Sequence, residues 1–363
     1  MRAWISIVLT AVMLSVSGCG FKDIDKRYFV LGIGIDKTND DTKPYRVTLK
    51  LGIPSAKVEP GQSNRSQLIS QDASTITEAV RLLKSKVDKE LDFGHTKIYL
   101  FGKSLAYDDI QKPLDWFVRR RDTQMIGYVA IGEPSAEKIL STKPPSERLP
   151  ANALIMSFNG EGTESSYIMT ERLSDFQRRI TERGKDPYMP IIQMSGESFA
   201  ILRAAVMDKH RIKLELSEQE TRVLNELLKK NKNFELYTKS GKDDFAMSIN
   251  RFGMKYKLLN EQVNPKIRMT FHITGVAEES SRRLHSQDWS RLERVAAKQA
   301  EERFLGLLRR LRDHGLDPIG FGLRYRAMGH VSDDEWQKWL ELYPKTEFDL
   351  QIHVQFVGTG SVK

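Results

Sequence analysis

Cysteine is nearly absent from this chain, because Cys19 is the only one among 363 residues. A single thiol cannot close an intramolecular disulfide, and it cannot build a cysteine-based metal site without other residue types. The folded protein must therefore be stable by packing alone. Long apolar runs are equally scarce, since beyond residue 18 none approaches the roughly 20 residues that a membrane-spanning helix needs.

The one long apolar run lies at the start of the chain, where Trp4–Val16 follows the positive charge of Arg2 and precedes Ser17 and Gly18. This length and order are typical of a secretory signal peptide, and the run is too short to span a bilayer. The stretch that ends at Cys19, Val-Ser-Gly-Cys, resembles the lipobox of bacterial lipoproteins. We therefore predict cleavage between Gly18 and Cys19, with diacylglycerol and palmitate attached to Cys19. Several acyl chains hold a protein at a membrane where one chain does not.

The mature chain is basic, with 56 Lys and Arg against 48 Asp and Glu once Arg2 is removed with the leader, a net charge of +8. Much of the excess lies at Arg282–Arg312, which holds nine basic and four acidic residues. Basic surfaces often bind nucleic acid, but an exported lipoprotein meets anionic lipid headgroups sooner. The plainer alternative is the solvated face of a helix. We predict no nucleic-acid partner.

The first mature segment predicts an α/β unit. "RYFVLGIGIDK" and "YRVTLKLGI" alternate with period two and predict a hairpin in which each strand buries one face. Residues 55–74 are polar and predict an exposed loop. A helix capped by Thr75 and Glu78, the strand "TKIYLFG", a helix over 104–117 and the strand "MIGYVAIG" follow. This alternation predicts some parallel pairing.

After residue 195 the pattern restarts. "FAILRAAVM" and "RIKLELS" predict a second hairpin, and Ser217 with Glu220 and Ser332 with Glu335 predict two further capped helices. A long helix begins at Trp289 with one apolar face. The final "FDLQIHVQF" alternates strictly and predicts a half-buried strand.

These patterns predict an α+β fold with mixed or antiparallel sheets flanked by helices, in two to three domains. The predicted divisions are a signal peptide at 1–18, an N-terminal α/β region at 19–195 and a C-terminal α+β domain at 196–363. Three prolines and "NGEGTESS" place a candidate subdomain boundary near 142–165.

Each stretch that resembles a catalytic or nucleotide-binding motif lacks a residue or element that the motif requires. "GIGID" lacks the third glycine of a dinucleotide fingerprint, and a strand follows where a helix is required. "FGKS" at Phe101–Ser104 resembles the end of a P-loop, but Lys97 stands where the first glycine belongs. His-Glu-x-x-His and Gly-x-Ser-x-Gly runs are absent from the sequence. We therefore predict no catalytic residue, no cofactor and no metal.

Several stretches together resemble the Ger(x)C lipoproteins, the C subunits of nutrient germinant receptors in endospore-forming bacteria. The resemblance covers essentially the whole mature chain. The stretches that carry it are the lipobox, "VLGIGIDK", "GHTKIYLFG", "RRRD" at Arg119–Asp122, "DPYMPII", "LDPIGFGLRYR" and "WQKWLELYPKTEFDLQIHVQFVGTG".

The resemblance implies a fold of three α+β domains, each a sheet flanked by helices, with no catalytic activity. It also implies a subunit anchored on the outer surface of the inner spore membrane, acting beside two integral-membrane subunits when nutrients trigger germination. The alternative, from a different functional class, is a lipid-anchored extracytoplasmic solute-binding protein or envelope enzyme.

Phe321, Arg309 and Arg312 are the candidate partner-interface residues. Phe321 lies between Gly320 and Gly322 in "LDPIGFGLRYR", which predicts either a tight connection inside a domain or a partner-facing loop. Arg309 and Arg312 belong to a predicted exposed stripe on the long helix. Its other members are Arg291, Arg294 and Lys298.

Overall fold

The structure is a computed structural model, which describes Trp4 and residues 24–53, 66–144, 150–159, 165–229, 234–239, 244–259, 265–281, 289–329 and 332–358. Within these ranges the chain forms two β-sheets with helices around them. Cys19 and the cleavage site before it lie outside the described residues.

The first sheet is mixed and runs in the order β3-β2-β1-β5-β6-β7-β8-β9, with β4 pairing β1 at one end. Strands β1, β5, β6 and β7 are parallel neighbours, and antiparallel hairpins extend the sheet at both edges. Its strands are β1 (Arg27–Lys37), β2 (Tyr45–Gly52), β3 (Ser66–Ala73), β4 (Glu90–Asp92), β5 (Ile98–Gly102), β6 (Tyr128–Glu133), β7 (Tyr188–Ser195), β8 (Ser198–Met207) and β9 (Ile212–Glu215).

Helices cover both faces of this sheet and form two separate cores. One face packs against α1, α2, α3 and α6, and the other against α4 and α5. The bounds are α1 (Ile76–Lys84), α2 (Lys103–Asp108), α3 (Gln111–Arg119), α4 (Ala136–Ser141), α5 (Pro150–Asn159) and α6 (Leu173–Thr181).

The prediction that β1 and β2 each bury one face is wrong. Both strands are central, so the positions that alternate as polar are buried as well, including Thr48 and Lys50 at 0% and 2% exposed. The ammonium of Lys50 donates a hydrogen bond of 2.9 Å to the Leu140 carbonyl near the end of α4, which satisfies both buried groups. Burial lowers the pKa of Lys50 to about 8.

The predicted loop and the predicted subdomain boundary both contain regular structure. Residues 66–73 form β3, an edge strand whose polar side chains suit its half-exposed position beside β2. Helix α5 lies inside the stretch predicted as a boundary at 142–165, and its Leu154 and Phe158 are buried against the sheet. The predicted helix over 104–117 is interrupted at Asp109 and Ile110.

The second sheet has four strands in the order β10-β11-β12-β13. Strands β10, β11 and β12 are antiparallel neighbours, whereas β13 returns parallel to β12. Strand β13 alternates as predicted for "FDLQIHVQF", since Leu350 and Phe356 are buried and Gln351 and His353 are exposed. The bounds are β10 (Phe234–Thr238), β11 (Phe245–Leu259), β12 (Lys266–Ser280) and β13 (Glu347–Gly358).

One face of the second sheet packs on helices, chiefly on the apolar face of the long α8. Two of the predicted capping boxes are present, Ser217 with Glu220 at the start of α7 and Ser332 with Glu335 at the start of α10. At α1, Thr75 accepts from the Glu78 amide, but the Glu78 carboxylate accepts from the Ser74 amide instead. The helices are α7 (Glu218–Lys229), α8 (Trp289–Asp313), α9 (Phe321–Ala327) and α10 (Asp333–Leu342).

The fold is therefore α+β, with sheets flanked by helices. The predicted division at 195 falls in the turn between β7 and β8, and β8 and β9 continue the first sheet to Glu215. Tyr188, Ala204 and Val206 of the first sheet also belong to the core of the second. The two sheets thus share apolar contacts.

Candidate interaction site at the junction of the two sheets

A four-residue pattern, Gly-x-Asp-Pro, occurs twice where helices end. Gly184–Pro187 follows α6 and leads into β7, and Gly315–Pro318 follows α8 and leads into α9. Both first glycines have positive φ, +89° at Gly184 and +66° at Gly315. Glycine reaches this left-handed region without strain, so each pattern turns the chain sharply after a helix.

The two patterns bind each other's backbone and form the junction, defined here as Gly184–Pro187 with Gly315–Leu323. The Asp186 amide donates to the Asp317 carbonyl at 2.8 Å. In return, the Asp317 amide donates to Oδ2 of Asp186 at 2.7 Å. A third bond joins the Leu323 amide to the Gly184 carbonyl at 2.7 Å. Segments 131 residues apart are thereby fixed in one register.

The buried Asp317 carboxyl group organises the start of α9. Its Oδ1 accepts from the Gly320 amide and its Oδ2 from the Gly322 amide, both at 2.7 Å. Burial raises the pKa of Asp317 to about 7. The amide hydrogen bonds favour the anion and act in the opposite direction, but burial has the larger effect. Asp186, whose own pKa is raised by burial, adds a second carboxyl nearby.

Arg179 and Lys209, two cationic residues that belong to the first sheet and its helices, donate hydrogen bonds at the junction. Arg179 donates through Nη1 to the Pro318 carbonyl at 2.9 Å and through Nε to Glu171 at 2.8 Å. Lys209 donates to the carbonyls of Arg179 and Lys185 at 2.6 and 2.8 Å. Almost every polar group here is committed to backbone, so the arrangement sets the relative position of the two sheets.

Close packing at the junction depends on glycine. A Cβ on Gly322 would lie 2.6 Å from Nε1 of Trp339 and 3.0 Å from the Gly184 Cα. Phe321 beside it is 1% exposed, and its ring lies 5.1 Å from that of Tyr256. The structure therefore favours the tight connection over the partner-facing loop, because a partner would not reach this ring in the folded protein.

The basic residues of α8 divide into two groups. Arg291, Arg294, Lys298 and Arg309 are exposed, as predicted. The prediction of an exposed stripe is wrong for Arg312. Its side chain is only 20% exposed, and its Nη1 donates to the Thr346 carbonyl at 2.9 Å.

Two other arginines of α8 bind acidic residues of α7. Arg303 pairs with Glu226 at 3.0 Å, and Arg310 pairs with Glu220. Two of the nine basic residues in this segment therefore join α8 to α7.

The "GIGID" and "FGKS" stretches meet in the first sheet, where they serve packing. The Asp36 carboxylate accepts from the Ala136 and Glu137 amides at 2.8 and 2.9 Å, at the start of α4. A Cβ on Gly102 would lie 1.9 Å from the Asp36 carboxylate. Asp36 thus occupies the amides that a bound phosphate would use in a nucleotide fold.

Histidines and other metal-binding residues do not converge among the described residues, where no group of three His, Cys, Asp or Glu could hold a metal ion. His272 and His353 are neighbours on the exposed face of the second sheet, with ring centroids 5.0 Å apart. Within the described part of the chain, no helix is long and apolar enough to cross a bilayer.

Sequence reasoning named both Asp-Pro stretches but missed their pairing. The signal was the repeated Gly-x-Asp-Pro, which is readable as GKDP and GLDP. Each copy follows a helix. Because the two turns are far apart in sequence, their pairing produces no local periodicity that a sequence pattern could reveal.

Comparison with known proteins gives consistent matches along the chain. Residues 20–194 match the family "Spore germination protein N-terminal domain". Residues 203–360 match the family "Spore germination B3/GerAC like, C-terminal".

Individual relatives align over nearly their full lengths. Spore germination protein KC of Bacillus subtilis (strain 168) is 22% identical, with 99% of this chain and 96% of that protein covered. Spore germination protein B3 of the same organism is also 22% identical, with 98% and 97% covered. The crystal structure of the GerBC protein shares the fold with a TM-score of 0.56, at 18% identity, covering 92% of this chain and all of that one.

Proposed function

The chain belongs to the Ger(x)C family of spore germination proteins, and we propose that it is the lipid-anchored, non-enzymatic C subunit of a nutrient germinant receptor. The observation that carries the proposal is the pair of family matches, which together span residues 20–194 and 203–360. A role in spore germination follows from the family and from the names of the relatives.

The mode of action that we propose is contact. The junction binds two distant segments through backbone hydrogen bonds, and its carboxyl groups are occupied by amides and cations. Such an arrangement holds two sheets in a fixed relation, which suits a subunit that presents surfaces to partners. The partners we propose are two integral-membrane receptor subunits, on the outer surface of the inner spore membrane.

Lipid attachment at Cys19 is tested by Cys19→Ala. We expect the variant to lose labelling by a palmitate analogue and to remain an unprocessed precursor, since the sequence offers no other thiol. The signal peptide can retain some precursor at the membrane, so labelling is the sharper measurement. Equal labelling of both proteins would end the proposed anchor.

Receptor membership is tested by deletion in the spore-former that encodes the chain, followed by complementation. We expect spores without the protein to lose the response to one class of nutrient while they still respond to a nutrient-independent trigger. Crosslinking in wild-type spores should yield two integral-membrane subunits. Normal nutrient germination of the deletion strain under every nutrient tested would contradict the proposal and favour the solute-binding or enzymatic alternative.

A further inference from the structure

A small apolar pocket lies beside the junction, at the end of the second sheet. Its volume is about 230 Å³, and Leu258, Ile267, Tyr325, Met328, Trp339 and Leu342 contribute most of its apolar wall. It opens between the ends of β11 and β12 on one side and helices α9 and α10 on the other. None of the roles described above uses it.

The wall of the pocket is both fixed and accessible. The rings of Tyr325 and Trp339 stack with centroids 4.8 Å apart, and Trp339 stacks in turn on Tyr343 at 5.6 Å. Tyr343 donates to the Leu316 carbonyl at 2.8 Å, which ties the stack to the junction. Met328 at the rim is 60% exposed, so the pocket can be reached from solvent.

The volume fits a molecule with one ring. An apolar cavity of about 150 Å³ is large enough to hold benzene, so about 230 Å³ leaves room for a ring and a short substituent. A flexible thioether such as that of Met328 can adjust to differently shaped apolar ligands.

The charges at the rim discriminate between ligands. Lys266 lines the pocket and makes no ion pair with any described residue, although Glu347 is its register partner on β13. Glu335 lines the opposite side, but its carboxylate already accepts from the Ser332 amide at 3.1 Å. Among the described residues, the rim therefore presents one cation that makes no ion pair, Lys266, and one carboxylate, that of Glu335, which is held at the start of α10.

We propose that this pocket binds a small carboxylic acid with a one-ring or branched aliphatic body, its carboxylate paired with Lys266. The apolar body would pack on the Tyr325–Trp339 stack and on Met328. This site goes beyond the proposed receptor role, and its occupancy can be measured without any germination assay.

The test uses the full chain in its own membrane and a photoreactive probe. The probe is a benzoate that carries a diazirine, compared with the corresponding primary amide, and mass spectrometry locates the labelled peptides. We expect labelling at residues 321–342, with the acid labelling about tenfold more than the amide, as a charge-assisted hydrogen bond implies. Unlabelled benzoate should compete.

Variants assign the site. Met328→Trp fills the pocket and should lower labelling about tenfold, and its high exposure makes a folding defect unexpected. Lys266→Gln should make acid and amide label equally, whereas Lys257→Gln, on the neighbouring strand, should behave as the wild type. Unfolding midpoints of the three variants should match.

Two results would overturn the proposal. Equal labelling by acid and amide in the wild type would remove the role of Lys266. Undiminished labelling of Met328→Trp, or labelling spread evenly over the chain, would show that the probe does not enter this pocket.

Discussion

The first sheet carries helices on both of its faces, whereas the second packs one face on helices and leaves the other exposed. In the first sheet, even Thr48 and Lys50 at alternate positions of β2 are buried. In the second sheet, Arg268, His272 and His353 are exposed on the face that carries no helices, while the other face packs into the core. The two halves of one chain thus follow the two general rules for parallel-centred and open sheets.

The two-sided burial of the first sheet explains its pattern of glycines and one aspartate. Glycines and an aspartate in the first sheet, which resemble a nucleotide-binding motif, let helix α4 approach the strands. On the open face of the second sheet, side chains have room, so that surface can vary without strain. Substitutions that are matched between buried and open positions test this comparison directly.

The largest expected effect is at Phe321, on the closed side of the second sheet. Phe321→Ala should lower the free energy of unfolding by about 3–5 kcal/mol, because it removes a ring that is 1% exposed. His353→Ala, on the open face, should change it by less than about 0.5 kcal/mol. Chemical denaturation of both variants measures the contrast, and comparable losses would show that the open face is covered.

The next effect compares two glycines. Gly102→Ala should cost about 3 kcal/mol, since its Cβ would lie 1.9 Å from the Asp36 carboxylate that caps α4. Gly253→Ala, where the nearest atom is 3.9 Å away, should be neutral or slightly stabilising. Thermal unfolding of the two variants measures the difference. If Gly102→Ala is as stable as the wild type, Asp36 and the start of α4 can shift to make room for the added methyl group.

The junction should make stability depend on pH through Asp317. Because folding raises its pKa to about 7, the folded state holds an extra proton between about pH 4 and about pH 7. This stabilisation is fully present below the unfolded pKa of about 3.9 and is lost as pH rises through about 7.

Between about pH 5 and 8 the wild type should lose about 2–3 kcal/mol of unfolding free energy that Asp317→Asn does not lose. Asp349→Asn makes the same chemical change on the open face of the second sheet and serves as the control for the substitution itself. Parallel pH profiles for all three proteins would show that Asp317 titrates normally.

The smallest effect separates two arginines of α8. Arg312→Ala should cost about 1–2 kcal/mol, because its guanidinium donates to the Thr346 carbonyl before β13. Arg309→Ala should stay within about 0.5 kcal/mol, since this exposed side chain has no hydrogen bond or ion pair among the described residues. Equal losses would contradict the division of the basic stripe.

Elements with strong local periodicity were predictable from the sequence. Helix α8, strand β13 and the capping boxes of α7 and α10 carry their own patterns, and the structure confirms them. Strand β3 was missed because a polar edge strand resembles a loop, and it is recognisable only from its pairing with β2.

The junction was beyond sequence patterns for a different physical reason. Asp186 and Asp317 each look like an ordinary turn residue, and their partnership arises only when two helices end at the same place. Phe321 shows the same limit, since flanking glycines are compatible with either a surface loop or a buried turn. Long-range burial decided both cases.

The parallel return of β13 has a consequence for how the protein is made. Its residues pair with β12 across 81 positions of chain, whereas the first sheet is complete once residue 215 is available. Closing so long a loop is slow, and until it closes β12 has a free edge and part of the second core is open to water. The N-terminal sheet can therefore form while its neighbour still lacks a strand, and during that interval the chain is exposed to proteases and to association with other unfinished copies.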